Sequence, residues 1–291
     1  MAGIRLEWAQ FGDFDSFDVL RSNSPMDVNS LPSPIATNLP TMYHVDTTVV
    51  DDATYYYRVV AWRDGVSKVS EEIQLKASSG DPHWDKVVSL LHFDDEANPW
   101  NDATGKIWEP VGMVELALGK WGNSAVSFAG QSNYLRSPNT DGVFNLPGQF
   151  TFECWFQHTN TGGPYRNIFL GGSSGFPGGF AVTVGNKSSI TVAEMYGQNV
   201  LTVPFTIGDA WYFLAVTRDI ENIVRLFIDG VLIAQTVSTS PFSFSPSGHA
   251  HILNHPEGDG SAGRIDELRI TKGIARYTEN FIPPDAPFPS Y

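Results

Sequence analysis

Apolar side chains recur at every second position in run after run of this chain, and no segment of comparable length repeats them at helical spacing. Ile4, Leu6 and Trp8 alternate with Arg5 and Glu7, and Phe150, Phe152, Cys154 and Phe156 alternate with Thr151, Glu153, Trp155 and Gln157. Successive side chains of a strand point to opposite faces, so each run reads as a strand with one face in a core. Ile223-Val224-Arg225-Leu226-Phe227-Ile228 and Val231-Leu232-Ile233-Ala234 flank Asp229-Gly230, a dipeptide suited to the positive φ angles of a type I′ hairpin turn. Asp64-Gly65 plays the same part earlier in the chain. The fold class expected is therefore all-β, with antiparallel strands at short intervals.

A chain of 291 residues exceeds the commonest domain size. Residues 1–78 read as a complete small β-sandwich, 79–86 as a linker of small residues and Pro82, 87–275 as a larger sandwich, and 276–291 as an extended Pro-rich tail. Pro283, Pro284, Pro287 and Pro289 preclude a helix in that tail, while Phe281, Ile282 and Phe288 offer apolar anchors for docking.

Acidic residues number 32 against 18 Lys and Arg, a formal charge of -14 with no basic cluster. That balance repels phosphate backbones and anionic membranes, so neither nucleic acid nor membrane insertion is expected. The start lacks the apolar core of a secretory signal, and no run reaches the length of a membrane span. The expectation is a soluble protein made in the cytoplasm. Cys154 is alone, and its setting inside a strand reads as a buried structural thiol.

The succession Leu6-Glu7-Trp8, Phe17-Asp18-Val19-Leu20-Arg21-Ser22, Thr54-Tyr55-Tyr56-Tyr57-Arg58-Val59-Val60-Ala61 and Ser67-Lys68-Val69-Ser70 resembles a fibronectin type III domain. The resemblance implies that Trp8 packs in the core and that Tyr55 bonds back to the backbone. Further on come Leu90-Leu91-His92-Phe93-Asp94-Asp95, Ala125-Val126-Ser127-Phe128, Asn133-Tyr134-Leu135, Trp211-Tyr212-Phe213-Leu214-Ala215-Val216-Thr217-Arg218 and Ile265-Asp266-Glu267-Leu268-Arg269-Ile270. With the strand at Phe150, these resemble the laminin-G-like, concanavalin A-like jelly-roll superfamily. The flanking phrases Asp81-Pro82-His83-Trp84-Asp85-Lys86-Val87-Val88 and Lys272-Gly273-Ile274-Ala275-Arg276-Tyr277 resemble copies of this domain in phage tail and virion proteins. That resemblance implies a structural protein of a bacteriophage virion, packed against other virion proteins and further copies of itself.

Several residue sets were candidates for chemistry. Jelly-roll glycosidases set paired carboxylates on one strand, and no Glu-x-Asp-x-x-Glu arrangement exists here. Glu153 and Glu194 are scattered, and by strict alternation Asp266 and Glu267 point to opposite faces of their strand. No enzyme is expected. His249, His251 and His255 are close in sequence, but Pro246, Gly248, Pro256 and Gly258 favour a polar surface loop over a metal site, and His92 reads as a packed or hydrogen-bonded core residue. No cofactor is required; the superfamily resemblance implies a structural calcium at Asp94 and Asp266, set against a turn and hydrogen-bond role for both. A bacterial surface glycan is the alternative partner, and loop aromatics and polar groups at Tyr165, Arg166, Phe176, Tyr196 and Asn199 are its candidate contacts.

Overall fold

The computed structural model describes residues 4–9, 12–46, 48–50, 52–77, 80–127, 133–158, 165–172, 178–185, 188–194, 199–253 and 263–290. The chain divides into two compact units, Met1–Pro82 and His83–Ser290.

In the first unit β1 (Ile4–Glu7) pairs with β4 (Tyr43–Asp46), and β3 (Pro34–Leu39), β2 (Ser16–Ser22), β5 (Thr54–Arg63) and β6 (Val66–Val69) follow one another in a second sheet, with β7 (Ile73–Lys76) also on β5. Ile4, Leu6, Val19, Tyr55 and Tyr57 meet between the sheets. Trp8 is only half-buried, packed edge-on against Phe17 with ring centroids 5.5 Å apart, so it guards the margin of this core rather than filling it. The Tyr55 hydroxyl accepts a hydrogen bond from the Val50 N–H at 2.9 Å.

Asp46 ties this unit together. Its carboxylate, 2% exposed, accepts from the Thr48 N–H and hydroxyl, the Tyr57 hydroxyl and the Arg21 guanidinium at 2.8–2.9 Å. Burial alone would raise its pKa, but the donors from Thr48, Tyr57 and Arg21 outweigh burial and hold it below the usual carboxylate range. A depressed folded-state pKa contributes stability above the unfolded value, about 3.9, which is lost as pH falls through the folded value. Asp46→Asn is expected to melt this unit earlier at neutral pH, with the gap to wild type closing below about pH 4. Calorimetry across a pH series checks this; a gap independent of pH would remove the charge as its source.

The second unit stacks two sheets. One has eight strands: β10 (Val114–Leu118), β11 (Asn123–Ser127), β22 (Gly263–Lys272), β13 (Phe150–His158), β18 (Trp211–Arg218), β19 (Ile223–Ile228) and β20 (Val231–Val237) in that order, with β8 (Val87–Leu91) also paired to β22. The other has seven: β17 (Asn199–Pro204), β16 (Ser189–Glu194), β15 (Phe180–Gly185), β14 (Tyr165–Gly171), β21 (His249–Ile252), β12 (Tyr134–Pro138) and β9 (Glu109–Val111). All pairings are antiparallel, as in a jelly-roll sandwich. Phe150, Phe152, Cys154 and Phe156 of β13 face Phe169, Phe180 and Val182 across the interior, as their alternation dictates. Cys154 is fully buried there, and burial pushes its thiol pKa well up. The β19–β20 turn holds Asp229 and Gly230 at φ 48° and 75°, the left-handed values a type I′ turn needs.

Candidate functional site

A face of this sandwich can receive a ligand only where the chain itself does not cover it. The outer face of the eight-stranded sheet is covered. Residues 274–290 cross it as an extended strap, fastened where Thr151 Oγ1 donates to the Ile274 carbonyl, Thr217 Oγ1 to the Tyr277 carbonyl, Phe281 N–H to the Gly230 carbonyl and Phe288 N–H to Glu267 Oε2, at 2.7–3.1 Å. Under it Phe281 meets Phe213 and Phe227, and Phe288 lies against Phe213 with the Arg269 guanidinium 3.7 Å from its ring centre. Ile282, read from sequence as an anchor, is 91% exposed: Phe281 and Phe288 already fill the apolar surface, and the intervening residue turns outward.

The strap also consumes the strand carboxylates. Glu153, fully buried, accepts from Arg269 Nε and the Tyr277 hydroxyl at 2.8 Å. Glu267 Oε1 pairs with His92 Nδ1 at 2.7 Å, and His92 Nε2 reaches the Ser290 hydroxyl at 2.8 Å. Burial opposes a charge on His92, yet the Glu267 carboxylate raises its pKa above the ordinary value. Strict alternation misplaces Asp266 and Glu267. Glu267 takes φ 49° in a bulge opposite β13, so Ile265 and Leu268 both face the core and the two acids between them share the outer face.

Asp94 and Asp266 converge on one turn. Asp266 Oδ2 accepts the Lys120 and Trp121 N–H groups at 2.7 and 3.1 Å, and Asp94 Oδ1 accepts the Asn123 N–H at 2.8 Å. A side chain at Gly119 or Gly122 would collide with these carboxylates. Asp266 Oδ1 is buried without a hydrogen-bond partner, and burial pushes the Asp266 pKa up to about 7, with Glu267 and Asp94 adding to the rise against the pull of the Trp121 and Lys120 amides. Among the described residues no three His, Cys, Asp or Glu side chains are grouped to hold a metal, so a cation here would need backbone and water oxygens beside these two.

On the outer face of the seven-stranded sheet Leu170, Ala181 and His251 are buried, Thr183 and Thr191 are half-buried and Thr202 is exposed. Phe180, Val182, Ile190 and Val192 point inward, which leaves Ala181, Thr183, Thr191 and Ala193 outward. Register aligns Asn167, Thr183, Thr191 and Thr202 in one row across β14 to β17, with the Thr191 and Thr202 hydroxyls 3.2 Å apart. The neighbouring row runs Glu109, Arg136, His251, Leu170, Ala181, Ala193. Arg136 bonds Glu109 at 3.2 Å, and Tyr134 packs edge-on to His251 at 5.3 Å. His249 and His251 thus belong to a strand, not to a surface loop: Ala250 and Ile252 alternate with them into the core. Burial, then the Arg136 charge, lowers the His249 pKa, so its imidazole is neutral at neutral pH. His255 lies outside the described residues.

The five candidate sugar contacts do not form one group by register. Tyr165 and Arg166 begin β14 opposite Gly185 and Val184, whereas Asn199 begins β17 opposite Ala193, beside the other end of the sheet where Phe180 pairs with Glu194. Phe176 and Tyr196 lie outside the described residues. Asn167, absent from the candidate set, is the register partner of Thr183. A row that crosses four strands is invisible until their registers are known.

A family model described as the Concanavalin A-like lectin/glucanases superfamily, of laminin G type, matches residues 129–275, half of the chain. The chain belongs to this superfamily. The concanavalin A-like fold extends to solved structures: the receptor-binding domain of botulinum neurotoxin D is 14% identical, over 66% of this chain and 50% of that one, with a TM-score of 0.51. The botulinum neurotoxin serotype D ligand-binding domain in complex with N-acetylneuraminic acid is 12% identical over 66% and 49%, with a TM-score of 0.53. The neurotoxin DC binding domain in complex with rat synaptotagmin II is 16% identical over 66% and 50%, with a TM-score of 0.50. The chain spans about half the length of these structures, and at such identities the likeness is one of fold. No curated protein matches the sequence.

Proposed function

We propose that this chain is a recognition and packing module of a bacteriophage particle that binds its partners without transforming them, and that the outer face of the seven-stranded sheet is its glycan contact surface. One observation carries this reading: one outer face is sealed by the strap, while the other aligns the half-buried Thr183 and Thr191 with the exposed Thr202 in one row, beside Ala193 and the buried Ala181 and Leu170. Alternating hydroxyls and small apolar groups complement the hydroxyl and C–H faces of a sugar. That Glu153 and Glu267 are both bound in ion pairs beneath the strap supports binding rather than hydrolysis, which needs two carboxyl groups facing a sugar. Neighbours of the same fold crystallised with a sialic acid and with a protein add weight to both kinds of partner. The phrases flanking the jelly roll support the virion placement, among other particle proteins and copies of itself, and the Tyr55 to Val50 bond supports a fibronectin type III-like first unit.

A glycan array of host surface polysaccharides is expected to show binding that Thr183→Glu or Thr191→Glu weakens, with no reducing ends released. Turnover of a polysaccharide that survives purification controls would overturn the reading, as would an array with no ligand together with particles that assemble and adsorb normally without the protein.

A structural calcium at Asp94 and Asp266 is part of the same proposal, supported by the unpartnered Asp266 Oδ1. The expected result is a higher melting temperature for the second unit with calcium, reversed by a chelator. Identical transitions would leave both residues as clamps of the Gly119–Asn123 turn.

A further inference from the structure

Strand β9 closes one edge of the seven-stranded sheet, and beside its start lies a cleft of about 370 Å³ lined by Lys106, Ile107, Pro138, Thr140, Asp141 and Val143, among others. Its volume is within the roughly 300–1,000 Å³ range of small-molecule sites. Both walls are held from beneath by buried polar residues. Asn139, fully buried, accepts the Phe144 N–H at 2.9 Å and donates to Asn145 Oδ1 at 3.1 Å and the Phe244 carbonyl at 3.2 Å. Opposite, Asp102 accepts from the Thr104 N–H and hydroxyl at 2.7 and 2.6 Å and from the Trp108 indole at 3.1 Å. These clamps satisfy themselves and leave the cleft's own groups idle. The side chains of Lys106, Thr140 and Asp141 make no hydrogen bond or ion pair with any described residue. Asp141 is also held at φ 56°, a left-handed value that Asp and Asn adopt more readily than other side chains.

An ammonium donor, a hydroxyl and a carboxylate acceptor thus line one cleft, with Ile107, Pro138 and Val143 as its apolar lining. The two charges cancel, which disfavours an anionic guest. We infer that this cleft is a binding site for a neutral saccharide unit, separate from the sheet face, with Asp141 and Lys106 fixing ring hydroxyls and Ile107 covering a C–H face.

The test uses the full chain in calorimetric and saturation-transfer titrations with neutral mono- and disaccharides and a uronic acid control. Asp141→Asn keeps the left-handed preference and Lys106→Gln keeps the stem; each is expected to weaken a neutral sugar roughly tenfold, the loss of one charged hydrogen bond, without shifting the melting temperature. Thr140→Val serves as the third variant should either of these fail to fold. Thr191→Glu is expected to leave this binding intact. The inference is overturned if no neutral sugar binds, if the uronic acid binds better, or if binding ignores the cleft variants. Binding lost with Thr191→Glu alone would retain the sheet face and remove the cleft.

Discussion

Arg218→Ala is expected to destabilise the second unit by about 3–5 kcal/mol, the range for breaking a buried charged network. Arg218 is fully buried at the end of β18, and its guanidinium donates to the carbonyls of Leu146, Gly148 and Ser240. It also lies over the rings of Phe150 and Phe242, at 5.3 and 5.1 Å. Truncation would leave three carbonyls without donors and a void against two aromatic rings. Lysine cannot span three acceptors, so Arg218→Lys should recover only part of the loss. Urea denaturation of the full chain, following the transition of the larger unit, measures both. A cost below about 1 kcal/mol for the alanine variant would mean that water replaces the guanidinium, and that Arg218 does not organise the loops around it.

The strap gives the second large effect. Phe288→Ala should cost about 3–5 kcal/mol, as for other buried aromatics, and removal of residues 278–291 more. Phe288 is 5% exposed, its N–H satisfies Glu267, and its ring carries Arg269, which in turn neutralises Glu153. Loss of the ring therefore opens water access to a buried ion pair as well as an apolar gap. The expected readouts are a lower melting temperature and faster proteolytic trimming after Tyr277. Unchanged trimming together with an unchanged melting temperature would show that the strap is held at Phe281 alone.

Much of this architecture is legible in sequence because strands advertise themselves locally. The Asp229-Gly230 turn and the alternation of β13 each need only neighbouring residues, and both have the expected form. What fails is what depends on a distant partner. Asp266 and Glu267 share a face because a bulge opposite β13 shifts the period by one, and nothing local announces it. His251 looks solvent-seeking, but Tyr134 and Leu170 from other strands shelter it. Arg218 reads as a polar strand end, and its three carbonyl partners are scattered across two loops. The row of Thr183, Thr191 and Thr202 is likewise a property of register, which no single strand displays.

Strand β22 follows every other described strand of the second unit in the chain, and it pairs with β8, β11 and β13. Glu153 and Arg269, bonded across one of these pairings, are 116 positions apart. Pairings of such long range are slow to form, since the entropy of closing the loop comes before the contacts that reward it. The first unit can complete its sheets while the ribosome is still making the second, but the second must wait with the edges of β8, β11 and β13 open. During that interval its aggregation hazard is greatest, and slower synthesis or lower temperature should favour soluble yield more for the full chain than for its first unit.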